Sequence, residues 1–478
     1  MQHLVGKPAL SSPGTCTYLG EDPQDRQLSQ GIRRTALRLA KGSRPGKASI
    51  DPGGRYGAVS TRQVRPHLRR SKNASGDHSS MNATYVLRWT DSSCRRRQVC
   101  RGHRRPLALI ITVALSALLV VRLSGQPGAI DLGVYRAAGL AVMSGVDPYA
   151  ADFGQRFGTG LPFTYPPAAA ILAVPLALVT KSVAYLAWLG INFVIFWVAV
   201  KTWFRGTTPL DILGMPLLFV ALLWCGPVTE VLALGQLGII ITCGCYWAAT
   251  SPRRSSALII GVLAAVKLTP LIFVAYFLLV RDFRRAAYAS VGFLVTTLCG
   301  WALMSEASHN YWTRIVKDPS RIGDLAYFAN QSLLGLLARM SLDRMWWPIV
   351  GVATIAGLLL ARRLALKVRQ PAAAVVAVGL LSLVVSPVSW QHHAVWVVPA
   401  FAAVLVVVVD RRVKLLAVVA FGLTFIGAPL LASRSHSALL SPAVNALLAS
   451  VVTLLIILLL AASPAASWPL RRGQNPNQ

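Results

Sequence analysis

Arg104-Arg105-Pro106 is followed by LALIITVALSALLVV, residues 107–121, fifteen positions without a charge. A run this apolar, opening on a basic flank, is the start of a bilayer-spanning helix, because lipid offers no partner for an exposed backbone N–H or C=O. Reading outward from it, apolar runs recur to the end of the chain. They lie near 106–124, 163–180, 183–203, 209–225, 229–249, 256–280, 284–304, 346–366, 371–389, 392–409, 413–432 and 443–463. The fold class read from this pattern is all-α: a polytopic transmembrane helical protein of about 12 spans with two long outer loops, 125–162 and 305–345.

Composition agrees. Of 478 residues, 54% are hydrophobic and 14% charged, and the mean hydropathy is +0.54. A soluble domain of that length needs a more charged surface. The net charge of +31 raises the question of nucleic acid, but its placement argues against it. Residues 1–105 carry +15, and the remaining +16 is concentrated in short loops between apolar runs, the pattern of loops held at anionic headgroups. No nucleic-acid partner is expected. The seven cysteines include no CxxC pair, so neither a zinc site nor a disulfide framework is expected.

Three segments follow. Residues 1–105 read as a disordered basic cytoplasmic tail, with Met81 as an alternative start. Residues 106–465 form the membrane domain, and 466–478 a short polar cytoplasmic tail. Lys/Arg bias then orients the spans. With the N-terminus inside, twelve spans place the basic stretches at 281–285, 362–369, 411–412 and 471–472 inside, and both long loops outside. Two loops disagree: Lys201/Arg205 and Arg253/Arg254 fall outside, which makes 163–255 the insecure part of the count.

The candidate chemistry lies in the outer segments. Asp131 follows the first run closely and is read either as a general base near the membrane surface or as a helix N-cap. Lys267, inside VLAAVKLTP (residues 262–270), costs on the order of 3 kcal/mol in lipid, so it must face a polar cavity, snorkel, or pair with a carboxylate such as Glu230. Ser386-Pro387-Val388-Ser389-Trp390-Gln391-His392-His393 offers two imidazoles beside an indole, to bind hydroxyls or phosphate or to anchor at the interface. Segment 305–345 supplies Tyr311-Trp312, Asn330-Gln331 and Arg339, groups suited to sugar hydroxyls. No Asp-x-Asp pair marks a metal-bound sugar nucleotide in the outer loops.

Taken in order, these stretches resemble a known family. Asp131-x-x-x-Tyr135, Gly145, Pro148-Tyr149, Pro162-Phe163-Thr164-Tyr165-Pro166-Pro167, Gly235-Gln236, Lys267-Leu268-Thr269-Pro270, Tyr311-Trp312, Arg321-Ile322-Gly323, Asn330-Gln331-Ser332 and the Ser386–His393 stretch are similar to polyprenol-phosphate-mannose-dependent α-(1→2)-mannosyltransferases, glycosyltransferase family 87 with the GT-C fold. The likeness covers roughly 106–460. It implies a multi-pass cell-membrane enzyme with an extracytoplasmic active site, a polyprenyl phosphomannose donor and a mannolipid acceptor such as a phosphatidylinositol mannoside, lipomannan or lipoarabinomannan. It implies Asp131 as the base that deprotonates the acceptor hydroxyl for inverting attack. Tyr135, Arg136, Tyr165, Lys267, Asn330, Gln331, Arg339, His392 and His393 are the expected substrate-binding residues, with no metal or other cofactor. One departure is noted: many relatives carry an acidic or aromatic residue near Leu132 or Arg136, which bears on acceptor choice. A GT-C arabinofuranosyltransferase and a transporter of lipid-linked sugars are the competing readings.

Overall fold

The computed structural model describes residues 107–123, 128–327, 329–408 and 411–426, all within one compact unit. The tail 1–105, the run at 443–463, the stretch around His436 and the tail 466–478 lie outside the described residues. Among the described residues every regular element is helical.

Among the described residues, three helices are long and apolar enough to cross a membrane: α4, Lys181–Trp203; α10, Phe283–Leu303; and the one ending at Leu366, whose α-helical part is α13, Trp346–Leu366. Of the others, α1 is Leu107–Leu123. Helices α5, Thr208–Leu223, and α6, Gly226–Leu234, form a pair bent by 63° that passes as one further span. Gly214 (φ 74°) and Pro216 interrupt α5, and Pro227 opens α6. Helices α7, Gly238–Thr250, α14, Pro371–Val385, α15, Val397–Val407, and α16, Arg411–Ile426, complete the bundle. Its core is a continuous apolar cluster that includes Phe196, Phe204, Val228, Ile260, Val395 and Trp396.

Two of the twelve expected runs do not pass from one end of the bundle to the other. The run 163–180 breaks into α3, Pro167–Leu172, and a single turn, Val174–Ala177. Both lie along α2, Ile130–Met143, with Gly139 packed on the Ala173 carbonyl and the Val179 carbonyl accepting from Arg136 Nε at 3.1 Å. Pro162, Pro166, Pro167 and Pro175 deny this stretch the unbroken ladder a span requires.

The run 256–280 turns back on itself. It forms α8, Ala257–Val266, and α9, Ile272–Leu279, separated by extended Lys267 (φ −148°, ψ 121°) and a 3-10 turn through Pro270. Arg254 pairs with Asp282 at 3.4 Å, and Gly261 leaves no room for a Cβ against the Ala289 carbonyl. Both contacts join residues 28 positions apart, so α8 and α10 run in the same direction. The chain must therefore return between them, and α9 is that return. Small residues at Gly261, Ala264, Ala289 and Gly292 allow this close packing.

The correction removes the loop conflict. With 163–180 and 256–280 each starting and finishing at one end, Lys201/Arg205 and Arg253/Arg254 join the other basic loops. Contacts bear this out: Trp203 meets Tyr246 at 5.7 Å, Phe204 meets Phe401 at 6.3 Å, and Arg285 bonds both Asp282 and the Ser251 carbonyl. The opposite end gathers residues 129–135, 162–167, 235–238, 266–270, 311–322 and 385–393 around a cavity.

Candidate active site

The cavity is about 600 Å³, within the range of small-ligand sites. Its wall includes Asp131, Tyr135, Tyr165, Gln236, Lys267, Arg321, Trp390, His392 and His393.

Asp131 stands in the first turn of α2. The cap position belongs to Ala129, held at φ 47°, and no side chain caps the helix. The N-cap reading is thus set aside, and the carboxylate lines the cavity. Its position is fixed from behind. Ala129 N–H donates to the Ala233 carbonyl at 3.2 Å, and Gly235 (φ 72°) has no space for a Cβ beside Leu132. A left-handed glycine that also meets a neighbouring side chain tolerates no larger residue.

Below Asp131, three oxygens interlock. Tyr135 Oη lies 2.8 Å from Gln236 Oε1 and 2.9 Å from Tyr165 Oη, and Tyr165 Oη lies 3.2 Å from Gln236 Oε1. Two phenolic hydrogens serve these oxygens, which locks both rings edge to face at 5.2 Å. Burial, with Tyr165 and Asp131 adding to it, raises the Tyr135 hydroxyl well above the ordinary phenol range, so it remains a donor. Gln236 was not among the expected site residues; its signal was the Gly235-Gln236 pair inside the apolar run 229–249.

Lys267 reaches the cavity from the apex of the α8–α9 hairpin, not from a continuous span. Nζ is 2.7 Å from His393 Nε2 and 5.4 Å from the centre of the Tyr165 ring. Trp390 N–H donates to His393 Nδ1 at 3.2 Å, and at 2.7 Å Lys267 Nζ and His393 Nε2 share one hydrogen in a direct hydrogen bond. The remaining hydrogens of the amine are left to meet an anionic oxygen in the cavity. The alternative pairing of Lys267 with Glu230 is not found: Glu230 Oε1 lies 3.7 Å from His392 Nδ1.

Of the expected site residues, Asp131, Tyr135, Tyr165, Lys267, His392 and His393 meet in this cavity, and four do not line it. Arg136 leaves in the other direction, to the Val179 carbonyl. Asn330 is fully buried as a backbone clamp: Nδ2 donates to the Leu325 and Pro387 carbonyls at 3.0 and 3.3 Å, and Oδ1 accepts from Ser332 and Ser389 N–H at 3.2 and 3.0 Å. Gln331 N–H donates to the Ser389 carbonyl at 2.7 Å. Arg339 Nη1 ties the Tyr327 and Asn330 carbonyls at 3.1 and 2.9 Å. These polar groups hold loop 325–332 against 387–389, where the reading from sequence gave them to sugar hydroxyls. Arg321, unassigned from sequence, does line the cavity, with Nη2 3.5 Å from the Tyr149 carbonyl.

Comparison with known proteins matches this architecture to a family. Residues 163–387 match glycosyltransferase family 87. The chain is 33% identical over 321 residues to the polyprenol-phosphate-mannose-dependent α-(1-2)-phosphatidylinositol mannoside mannosyltransferase of Mycobacterium tuberculosis, covering 62% of this chain and 74% of that protein. It is 34% identical to the protein of the same description in Mycolicibacterium smegmatis, covering 61% and 73%. It is also 30% identical, over 62% and 71%, to a polyprenol-phosphate-mannose-dependent α-(1-2)-phosphatidylinositol pentamannoside mannosyltransferase of Mycobacterium tuberculosis. No solved structure matches the chain. The chain belongs to glycosyltransferase family 87, and it is a helical membrane glycosyltransferase.

Proposed function

We propose that this protein transfers mannose from polyprenyl phosphomannose to a phosphatidylinositol mannoside or related mannolipid, forming an α-(1→2) bond with inversion. The observation that carries this reading is the meeting of Asp131, cavity-facing and not a helix cap, with the hydrogen-bonded Lys267–His393 pair in one cavity. The relatives' names support the choice of donor and acceptor.

In this mechanism the donor phosphate lies beside the Lys267–His393 pair and accepts from the Lys267 amine. The Tyr135–Gln236–Tyr165 network fixes the wall against which the sugar rests. Asp131 accepts the proton of the acceptor hydroxyl as its oxygen attacks the anomeric carbon from the face opposite phosphate. The bond to phosphate oxygen breaks, and the electron pair leaves on polyprenyl phosphate. The charge on phosphate rises from one to two, and the fixed Lys267 donor strengthens as it does so. The reading requires no metal, because the leaving phosphate is compensated by side chains.

Orientation follows from the corrected loops. Two of the twelve runs return to the end they start from, so we assign ten crossings. The short basic loops between spans then lie on the cytoplasmic side and the cavity on the outer leaflet, where a lipid-linked sugar is presented.

The test is transfer from radiolabelled polyprenyl phosphomannose to phosphatidylinositol mannosides by the purified chain, with linkage analysis of the product. Asp131→Asn should lower kcat about 10³-fold while inserting normally. Transfer of arabinofuranose and not mannose would move the assignment to the arabinofuranosyl branch of the fold. Undiminished function in Asp131→Asn would favour a transporter.

A further inference from the structure

One ionisable pair is not used by the mechanism above. Glu230 sits on α6, inside the bent α5–α6 pair, and a carboxylate among apolar helices marks a partner or a task. Its Oε1 faces His392 Nδ1 at 3.7 Å, and its Oε2 is buried without a hydrogen-bond partner. His392 is 5% exposed, with both ring nitrogens buried and unpartnered. The same ring forms part of the cavity wall and meets the His393 ring edge to face at 4.5 Å. The adjacent imidazoles therefore divide their contacts: His393 faces Lys267, and His392 is backed by Glu230.

A carboxylate facing Nδ1 sets the orientation of the imidazole and turns Nε2 away from α6. The groups that bear on His392 are few. Glu230 comes from α6, His393 and Lys267 lie to one side, and Asp131, Tyr135 and Tyr165 line the cavity with it. Helix α7 brings Gly238 against the His392 carbonyl, and α14 and α15 carry no titratable residue.

We propose that Glu230 is a positioning residue that orients the His392 ring in the cavity wall, so that the ring meets the leaving phosphate beside Lys267. This rests on the phosphate-linked donor of the preceding section. No bond to the protein forms. The oriented ring supplies a further polar contact to a group whose charge grows as the sugar departs.

The experiment compares wild type with Glu230→Gln, Glu230→Asp, His392→Asn and the Gln/Asn double variant in the purified full chain. Two measurements are made: kcat and KM for donor and acceptor, and binding of polyprenyl phosphate followed by tryptophan fluorescence. Glu230→Gln should lower kcat about 30-fold and weaken polyprenyl phosphate about tenfold, with the acceptor KM unchanged. Glu230→Asp should recover most of the rate, and the double variant should be no worse than His392→Asn. Additive losses, no recovery in Glu230→Asp, or equal polyprenyl phosphate affinity in wild type and Glu230→Gln would each overturn the proposal. The binding arm does not depend on turnover. A wild-type chain that binds polyprenyl phosphate through Glu230 but transfers no sugar would refute the proposed activity and not this inference.

Discussion

Lys267 shows how one side chain is constrained by its surroundings. It is a lysine in an apolar run, its amine is hydrogen-bonded at 2.7 Å to an imidazole nitrogen, and no carboxylate is bonded to it. The remaining hydrogens of the amine are best satisfied by an anion. Lys267→Gln should lower kcat by about 10²–10³-fold, as does loss of one fixed donor at a developing charge. Lys267→Arg should restore only part of it, because a planar guanidinium fork does not reproduce the contact that the compact ammonium makes with His393. Steady-state kinetics with varied donor reads both. A contrasting pair comes from the residues that do not line the cavity. Asn330→Ala strands two backbone N–H groups and the Leu325 carbonyl and should destabilise the chain by about 2–4 kcal/mol, seen as a lower Tm in detergent. Arg136→Ala removes one exposed contact to the Val179 carbonyl and should leave both Tm and donor KM nearly unchanged.

At the scale of elements, the α8–α9 hairpin decides how Lys267 arrives at the site. Its seam is glycine and alanine packed on backbone, with Gly261 on the Ala289 carbonyl and Gly292 on the Leu258 carbonyl. Gly261→Leu should separate α8 from α10, withdraw the hairpin apex and cost about 1–3 kcal/mol, together with most of the activity. Thermal unfolding and the transfer assay read the two effects separately. This hairpin is also where reading the sequence stopped short. Residues 256–280 form one apolar run of span length, and hydropathy cannot distinguish a helix that crosses from two shorter ones that return. The Lys267-Leu268-Thr269-Pro270 break was visible as a motif, but its meaning depends on α10, whose register appears only in three dimensions. The site divides in the same way. Asp131, Lys267 and the two histidines were legible because each is an unusual residue in an apolar setting. Asn330, Gln331 and Arg339 were equally unusual but serve the backbone, and sequence does not show whether a buried amide bonds a ligand or a carbonyl. Gln236 and Glu230 were each visible, but their partners lie 101 and 162 positions away.

Across the whole molecule, charge placement and cavity placement constrain each other. If the short basic loops between spans all lie at one end, they follow the positive-inside bias, and the cavity opens at the other. Had all twelve runs crossed, Lys201/Arg205 and Arg253/Arg254 would face outward, with these four cations against the bias. Ten crossings return all four to the inside. The distinction can be read in intact cells by cysteine substitution in a background with the native cysteines replaced by serine or alanine. Arg205→Cys and Arg253→Cys should react with a membrane-impermeant maleimide only after the membrane is opened, as should Arg284→Cys. Thr159→Cys, two residues before Leu161 of the cavity wall, should react from outside without permeabilisation. Labelling of Arg205→Cys and Arg253→Cys from outside would restore the twelve-span count. It would also require the Arg254–Asp282 pair, 3.4 Å apart, to be split across the bilayer, which no rearrangement of packed helices achieves. The topology and the ion pair therefore stand or fall together.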